Sequence, residues 1–180
     1  MFGLNMVVYK GKTIFVGDTS VHEYPTSEQM AEIAISTARV VRLFGFDPKV
    51  AFVSHSTFGQ PLTSRTKHIR NAVDILKEKK VDFKFDGDMQ PDVALNPEYK
   101  DLYPFSKIVG KANILIMPGQ HSAAISYKMM KTLGDTKVIG PLLIGLGLPI
   151  EIAPLRSSTS ELINLASIAA YSADVIDYKK

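Results

Sequence analysis

The hydrophobic positions change period several times along the chain, and each change marks a predicted element. Leu4 to Tyr9 reads as a strand, Lys10-Gly11-Lys12 as a turn, and Thr13 to Val16 as a returning strand that stops at Gly17-Asp18. This is a hairpin signature. After Pro25 the period lengthens: Met30, Ile33, Ala34, Thr37, Val41 and Phe44 fall on one helical face. Thr26 and Gln29 stand in capping-box spacing before this helix, and Gly45 supplies its stop.

From Lys49 onward short apolar runs alternate with helical stretches. Strands are expected at Val50 to Ser54, Val81 to Phe85, Asn113 to Met117, near Lys137 to Gly140, and at Ile150 to Ala153. Helices are expected from about Ser64 to Lys79, Ser122 to Leu133 and Thr159 to Ala173, the last burying Leu162, Ile163, Leu165, Ala166 and Ala169. Pro91, Pro97 and Pro104 break the stretch between Asp88 and Lys111 into a loop-rich insertion suited to lining a cleft or a subunit contact. Strands joined by helical crossovers predict a three-layer α/β/α unit with a largely parallel sheet and an N-terminal β-hairpin.

At 180 residues the chain suits one domain with a proper core, and 46% hydrophobic with 22% charged residues is ordinary globular composition. No apolar run approaches the length of a membrane span and no signal-peptide layout opens the chain, so no membrane partner and a cytoplasmic location are expected. Cysteine is absent, which removes disulfides and thiolate chemistry. A formal charge of +3 with scattered basic residues and no Trp argues against a nucleic-acid partner. The basic cluster Arg65-Thr66-Lys67-His68-Ile69-Arg70 reads as a solvated helix surface.

Two apolar runs stop abruptly at small polar residues: Val50 to Val53 before Ser54-His55-Ser56-Thr57-Phe58-Gly59-Gln60, and Phe85 before Asp86-Gly87-Asp88-Met89-Gln90-Pro91-Asp92. Ser54, Ser56 and Thr57 either cradle phosphate oxygens beside a helix start or merely cap a strand-to-helix turn. The carboxylates lack calcium-loop spacing and read first as loop formers and caps, then as ligand contacts. His22, His55, His68 and His121 show no metal-ligand spacing, so no metal site is expected; His55 and His121, each just after a strand, are the two with a place in a cleft. Gly145-Leu146-Gly147 lacks the third glycine of a dinucleotide fingerprint and reads as a turn.

These segments, with Asn113-Ile114-Leu115-Ile116-Met117-Pro118, Ile125-Ser126-Tyr127-Lys128 and Val138 to Leu146, resemble the phosphate acetyl/butyryl transferase family, and most of all the transacetylase-like region at the C-terminal end of bacterial NADP-dependent malic enzymes. The resemblance implies an isocitrate/isopropylmalate dehydrogenase-like (phosphotransacetylase) fold. It places Lys128 on a helix facing the cleft, where its ammonium either meets a phosphate or faces solvent. The family's catalytic serine, arginine and aspartate fall on Pro154, Leu155 and Glu161, and its Gly-Asn on Ala123-Ala124; Gln60 replaces a serine that follows the glycine. Proline has neither hydroxyl nor N–H and leucine has no charge, so two of the three roles have no side chain to perform them. Arg156 is displaced by one residue.

The expectation is therefore a domain with no catalytic residues of its own. It would bind acetyl-CoA or a related acyl-CoA as an allosteric effector through Ser54, Ser56, Thr57, Lys128, Arg156 and Glu161, in a cleft that also takes in Pro154 and Leu155. The whole of 1–180 is expected to be the C-terminal part of a phosphotransacetylase-like domain, a piece of a longer malic enzyme. Its partners would be the malic enzyme catalytic domain and further copies of itself. NADP and a divalent metal would belong only to the upstream part, which would convert malate to pyruvate by oxidative decarboxylation. The alternatives are an active phosphate acetyltransferase and a ligand-free dimerisation module.

Overall fold

The computed structural model describes residues 1–175. β1 (Phe2–Tyr9) turns through Lys10 and Gly11 into β2 (Lys12–Gly17). Both turn residues have positive φ, 46° and 75°, which gives a two-residue connection whose twist matches that of the strands. Then follow α1 (Ser27–Leu43), β3 (Lys49–Val53), α2 (Ser64–Glu78) and β4 (Lys84–Met89). The proline-rich insertion holds only α3 (Pro91–Leu95) and a 3₁₀ turn (Pro97–Asp101). β5 (Ile114–Ile116), α4 (Gln120–Leu133), β6 (Thr136–Ile144), β7 (Ile150–Glu151) and α5 (Thr159–Val175) complete the order.

The seven strands form one sheet in the order β4-β3-β5-β2-β1-β6-β7. β4, β3, β5 and β2 pair in parallel, whereas β2 with β1, β1 with β6, and β6 with β7 pair antiparallel. The sheet is thus mixed, which corrects the expectation of a largely parallel one. The reason lies in the hairpin: it sits in the middle of the sheet, and the free edge of β1 recruits β6 in the opposite sense. Helices cover both faces. α1, α2 and α5 pack on one through Met30, Ile33, Ile69, Leu76 and Leu165 against Phe15, Phe52 and Ile114. On the other, α3, the insertion and α4 pack through Val93, Ile108 and Ala123 against Val16, Val53 and Leu115.

The capping box at Thr26 and Gln29 is formed, and Gly45 follows the helix with φ 81°. Fully burying side chains such as Met30, Ile33 and Val41 stabilises this layer by about 1.5–3 kcal/mol each. Three strands differ most from expectation. β4 lies later than Val81 to Phe85, because its pairing begins at Lys49 opposite Lys84 and continues through Asp86 and Gly87 despite their polarity. β6 runs on past Gly140-Pro141 to Ile144: Leu4 pairs with Leu142 and Met6 with Ile139, so Asn5 alone faces Gly140 and Pro141 in a bulge that absorbs the proline. β7 is two residues long, and with so little sheet beneath it α5 buries only Leu165 of its five predicted positions; Leu162 and Ile163 are 47% and 59% exposed.

Candidate functional site

Parallel strands β3 and β5 end side by side, and the loops leaving them diverge around a cleft of about 810 Å³. Such crevices at the carboxyl ends of parallel strands are the usual ligand positions of α/β sheets. Ser54 and His55 enter from β3, Met117, Pro118, Gly119, His121 and Ser122 from β5 and the start of α4, and Ser64, Arg65, His68 and Ile69 from the first turns of α2. Glu23 and Tyr24 close the rim, with the Arg65 guanidinium 5.7 Å from the centre of the Tyr24 ring. His68 is held in place: Nε2 is 2.9 Å from the Pro25 carbonyl oxygen, and Ser27 Oγ donates to the His68 carbonyl at 2.8 Å.

The rim loop is fixed by Asp18, which is buried at the end of β2. Its Oδ1 accepts the backbone N–H of Gly3 at 2.8 Å and of Ser20 and Val21 at 3.1 Å; its Oδ2 accepts that of His22 at 2.8 Å and lies 2.6 Å from His22 Nδ1. Burial pushes this carboxyl up, but the N–H groups of Gly3, Ser20 and His22, with the His22 ring, outweigh it and hold the group below the ordinary aspartate value.

The loop after β3 is anchored in the same manner to the end of β4. Asp88, fully buried, accepts the Ser56 hydroxyl through Oδ2 and the Gly59 N–H through Oδ1 at 3.0 Å. Thr57 Oγ1 accepts the Gln90 N–H at 3.2 Å, and Gln90 donates its amide to the His55 carbonyl at 3.1 Å. Ser56 and Thr57 are therefore buried and engaged in loop construction, and Asp88 is the loop former the sequence suggested. Ser54 alone of the three hydroxyls lines the cleft.

A second, shallow recess of about 50 Å³ lies at the other end of α4, between Tyr127 and Lys131 of that helix, β6 at Gly140-Pro141, and Pro154, Ser157, Glu161 and Leu165. Glu161 is tied down twice: Lys131 Nζ donates to Oε1 at 2.6 Å, while Ser158 donates its N–H and its hydroxyl to Oε2 at 2.8 and 2.9 Å. The Lys131 ammonium, then the Ser158 groups, draw its carboxyl down to about 2. The Pro154 carbonyl is occupied by the Ser157 hydroxyl at 2.8 Å, and Leu155 projects fully into solvent.

The expected single cleft is in fact two. Ser54, His55 and His121 meet in the large one; Pro154 and Glu161 belong to the recess; Lys128, with Nζ 6.0 Å from the Tyr127 ring centre, Leu155 and the exposed Arg156 line neither. The division follows from α4, whose first turn faces one site and whose later turns face the other. Arg65 and His68, expected on a solvated helix surface, line the cleft instead; their i, i+3 spacing, which puts them on one face, is the signal for it. Nothing in the sequence singled out Glu23 and Tyr24. Among the described residues no cluster of three or more His, Cys, Asp or Glu is arranged to hold a metal ion, and no helix is long and apolar enough to cross a membrane.

This α/β domain with its mixed seven-stranded sheet is similar to phosphotransacetylases: the crystal structure of a phosphotransacetylase from Streptococcus pyogenes superposes with a TM-score of 0.90 at 32% identity, covering 96% of this chain and 54% of that one. The phosphate acetyl/butaryl transferase family matches residues 1–170, and the chain belongs to it. It is 46% identical to the NADP-dependent malic enzyme of Rhizobium meliloti over 96% of its own length and 23% of that protein. It is also 33% identical to the phosphate acetyltransferase of Bacillus subtilis over 93% of its length and 52% of that protein. The chain thus spans about a quarter of the malic enzymes it matches and about half of the Bacillus subtilis phosphate acetyltransferase.

Proposed function

We propose that this chain is the phosphotransacetylase-like regulatory and assembly part of an NADP-dependent malic enzyme, recognising acetyl-CoA without transferring its acyl group. The observation that carries the reading is the state of Glu161. A base toward a thiol needs an oxygen free to take the proton, and both oxygens of Glu161 are engaged, Oε1 by Lys131 at 2.6 Å and Oε2 by Ser158 at 2.8 and 2.9 Å, contacts that also lower its basicity. Its two companions are a proline and a leucine, one with its carbonyl already bonded and the other in solvent. An isocitrate/isopropylmalate dehydrogenase-like fold, a cytoplasmic setting and homo-oligomeric assembly belong to the same reading. NADP, the divalent metal and oxidative decarboxylation of malate belong in it to the catalytic part of the longer protein, and no residue of this chain is assigned to them.

The recess beside Glu161 is too small to hold a whole coenzyme A, so in this reading Lys128 and Arg156 form one wall of a site completed by the rest of the longer protein. Isothermal calorimetry with acetyl-CoA on that longer protein is expected to give saturable binding. A thiol-release assay with acetyl-CoA and inorganic phosphate, which would yield free CoA and acetyl phosphate if the acyl group were transferred, is expected to stay at background. Turnover well above background would refute the loss of chemistry, and absence of heat at millimolar acetyl-CoA would refute recognition. A contribution to assembly is favoured by apolar side chains left exposed on the last two helices, Ile125, Met129 and Leu133 on α4 with Leu162 and Ile163 on α5. Sedimentation of the isolated chain as a monomer at micromolar concentration would count against it.

A further inference from the structure

We infer that the 810 Å³ cleft at the ends of β3 and β5 is a binding site for a phosphorylated nucleotide, complete within this chain and distinct from the recess that carries the degenerate catalytic positions. The volume is that of a small-molecule site, and the lining has the usual composition of one: apolar walls with a few convergent polar groups. Val53, Ile69 and Met117 supply the walls. Arg65, His55 and His121 supply donors for an anion, and Arg65 laid over the Tyr24 ring makes a flat surface of the kind on which a base stacks.

The backbone agrees with that chemistry. α4 begins at Gly119 with no side chain capping its first turn and no acidic residue in that turn. The Ser122 hydroxyl donates to the Gly119 carbonyl at 2.8 Å, and the Gln120 N–H is already taken by the His22 carbonyl of the rim loop at 3.2 Å, so an anion would meet only the N–H groups of His121 and Ser122. Gly119 is needed there, since a Cβ would lie 2.5 Å from the Glu23 carbonyl oxygen; the close approach brings the rim loop over the helix start. Glu23 is the one carboxylate in the lining and opposes an anion. The two sites are separated along α4: His121 and Lys131 lie about 15 Å apart on the axis at the normal helical rise.

Two sources offer this chemistry, a free nucleotide and the nucleotide end of coenzyme A. The inference does not rest on the acetyl-CoA reading, and the first arm of the test uses no acyl compound. Calorimetry with ADP in the presence of EDTA is expected to show saturable binding, and adenosine, lacking the phosphates, at least tenfold weaker binding. Arg65→Ala and His121→Ala, both at exposed positions, should each weaken ADP roughly tenfold with the thermal midpoint unchanged. Glu23→Gln should tighten ADP a few-fold, a gain that damage to the fold would not produce. Repeating the ADP titration with acetyl-CoA present separates the sources: competition assigns the cleft to the nucleotide end of coenzyme A, and independence to a free nucleotide. No ADP binding at millimolar concentration, or binding indifferent to all three substitutions, would overturn the inference.

Discussion

Replacing Asp18 by asparagine tests how the rim of the cleft is held. The carboxylate receives five contacts at 3.1 Å or less, from four backbone N–H groups and the His22 ring. Asparagine keeps one acceptor oxygen and turns an –NH₂ toward donors, so at least the two contacts at one oxygen are lost. Hydrogen bonds to a charged group contribute about 1.5–3 kcal/mol each, and solvent reaching His22 relieves part of the loss, so Asp18→Asn should cost about 3–4 kcal/mol at neutral pH. Urea unfolding followed by circular dichroism measures it. The pH dependence has a fixed sign: because the folded-state value lies below the ordinary 3.8, the stabilisation is complete above 3.8 and decays as pH falls through the lowered value. The gap between the two proteins should therefore be flat above that point and narrow on acidification. A loss under about 1 kcal/mol, or a gap that does not narrow in acid, would refute this account.

Three further outcomes are expected. Glu151 has an oxygen without a partner, and burial, eased by the Leu143 N–H, raises its carboxyl to about 7. The wild type should lose stability as pH rises from 4.5 to about 7, and Glu151→Gln should escape the loss and gain about 1–2 kcal/mol above that range once partial exposure is allowed for; equal unfolding midpoints on both sides of the range would contradict it. Lys131→Met should move the Glu161 carboxyl from about 2 back toward 4.5, as read by carbon-detected NMR titration; an unmoved titration would mean that Lys131 is not the dominant cause. Gly110→Ala should destabilise by about 2–4 kcal/mol, because φ is 69° and a Cβ would lie 2.4 Å from Pro97 Cα; a thermal midpoint within a degree or so of wild type would show that the insertion yields easily.

The elements legible from sequence were those whose signals are local. α1 declared itself by its period, its capping box and its terminal glycine, and the hairpin by Lys10-Gly11 between alternating strands. Its position in the middle of the sheet was not legible, since that depends on β1 pairing with β6, far along the chain. The bulge at Gly140-Pro141 was hidden for the same reason: a proline reads as a strand end unless the partner strand leaves one residue unmatched. At the site, Ser54, His55 and His121 were found because they follow strands, whereas Ser56 and Thr57 were drawn inward by Asp88 and Gln90, partners more than thirty positions away. Arg65 and His68 carried the right spacing but no sign of which neighbour their face would meet.

The placement of β1 has a consequence for how the molecule comes into being. Its inner edge is sealed at once by β2, but its outer edge stays open until Thr136–Ile144 has been made. Until then the growing polypeptide carries a bare row of N–H and C=O groups at what will become its centre, a template for stray strands. Cutting away Phe2–Tyr9 would not trim an end: it would leave β6 and β7 with no hydrogen bond to the parallel strands, and one sheet would become two.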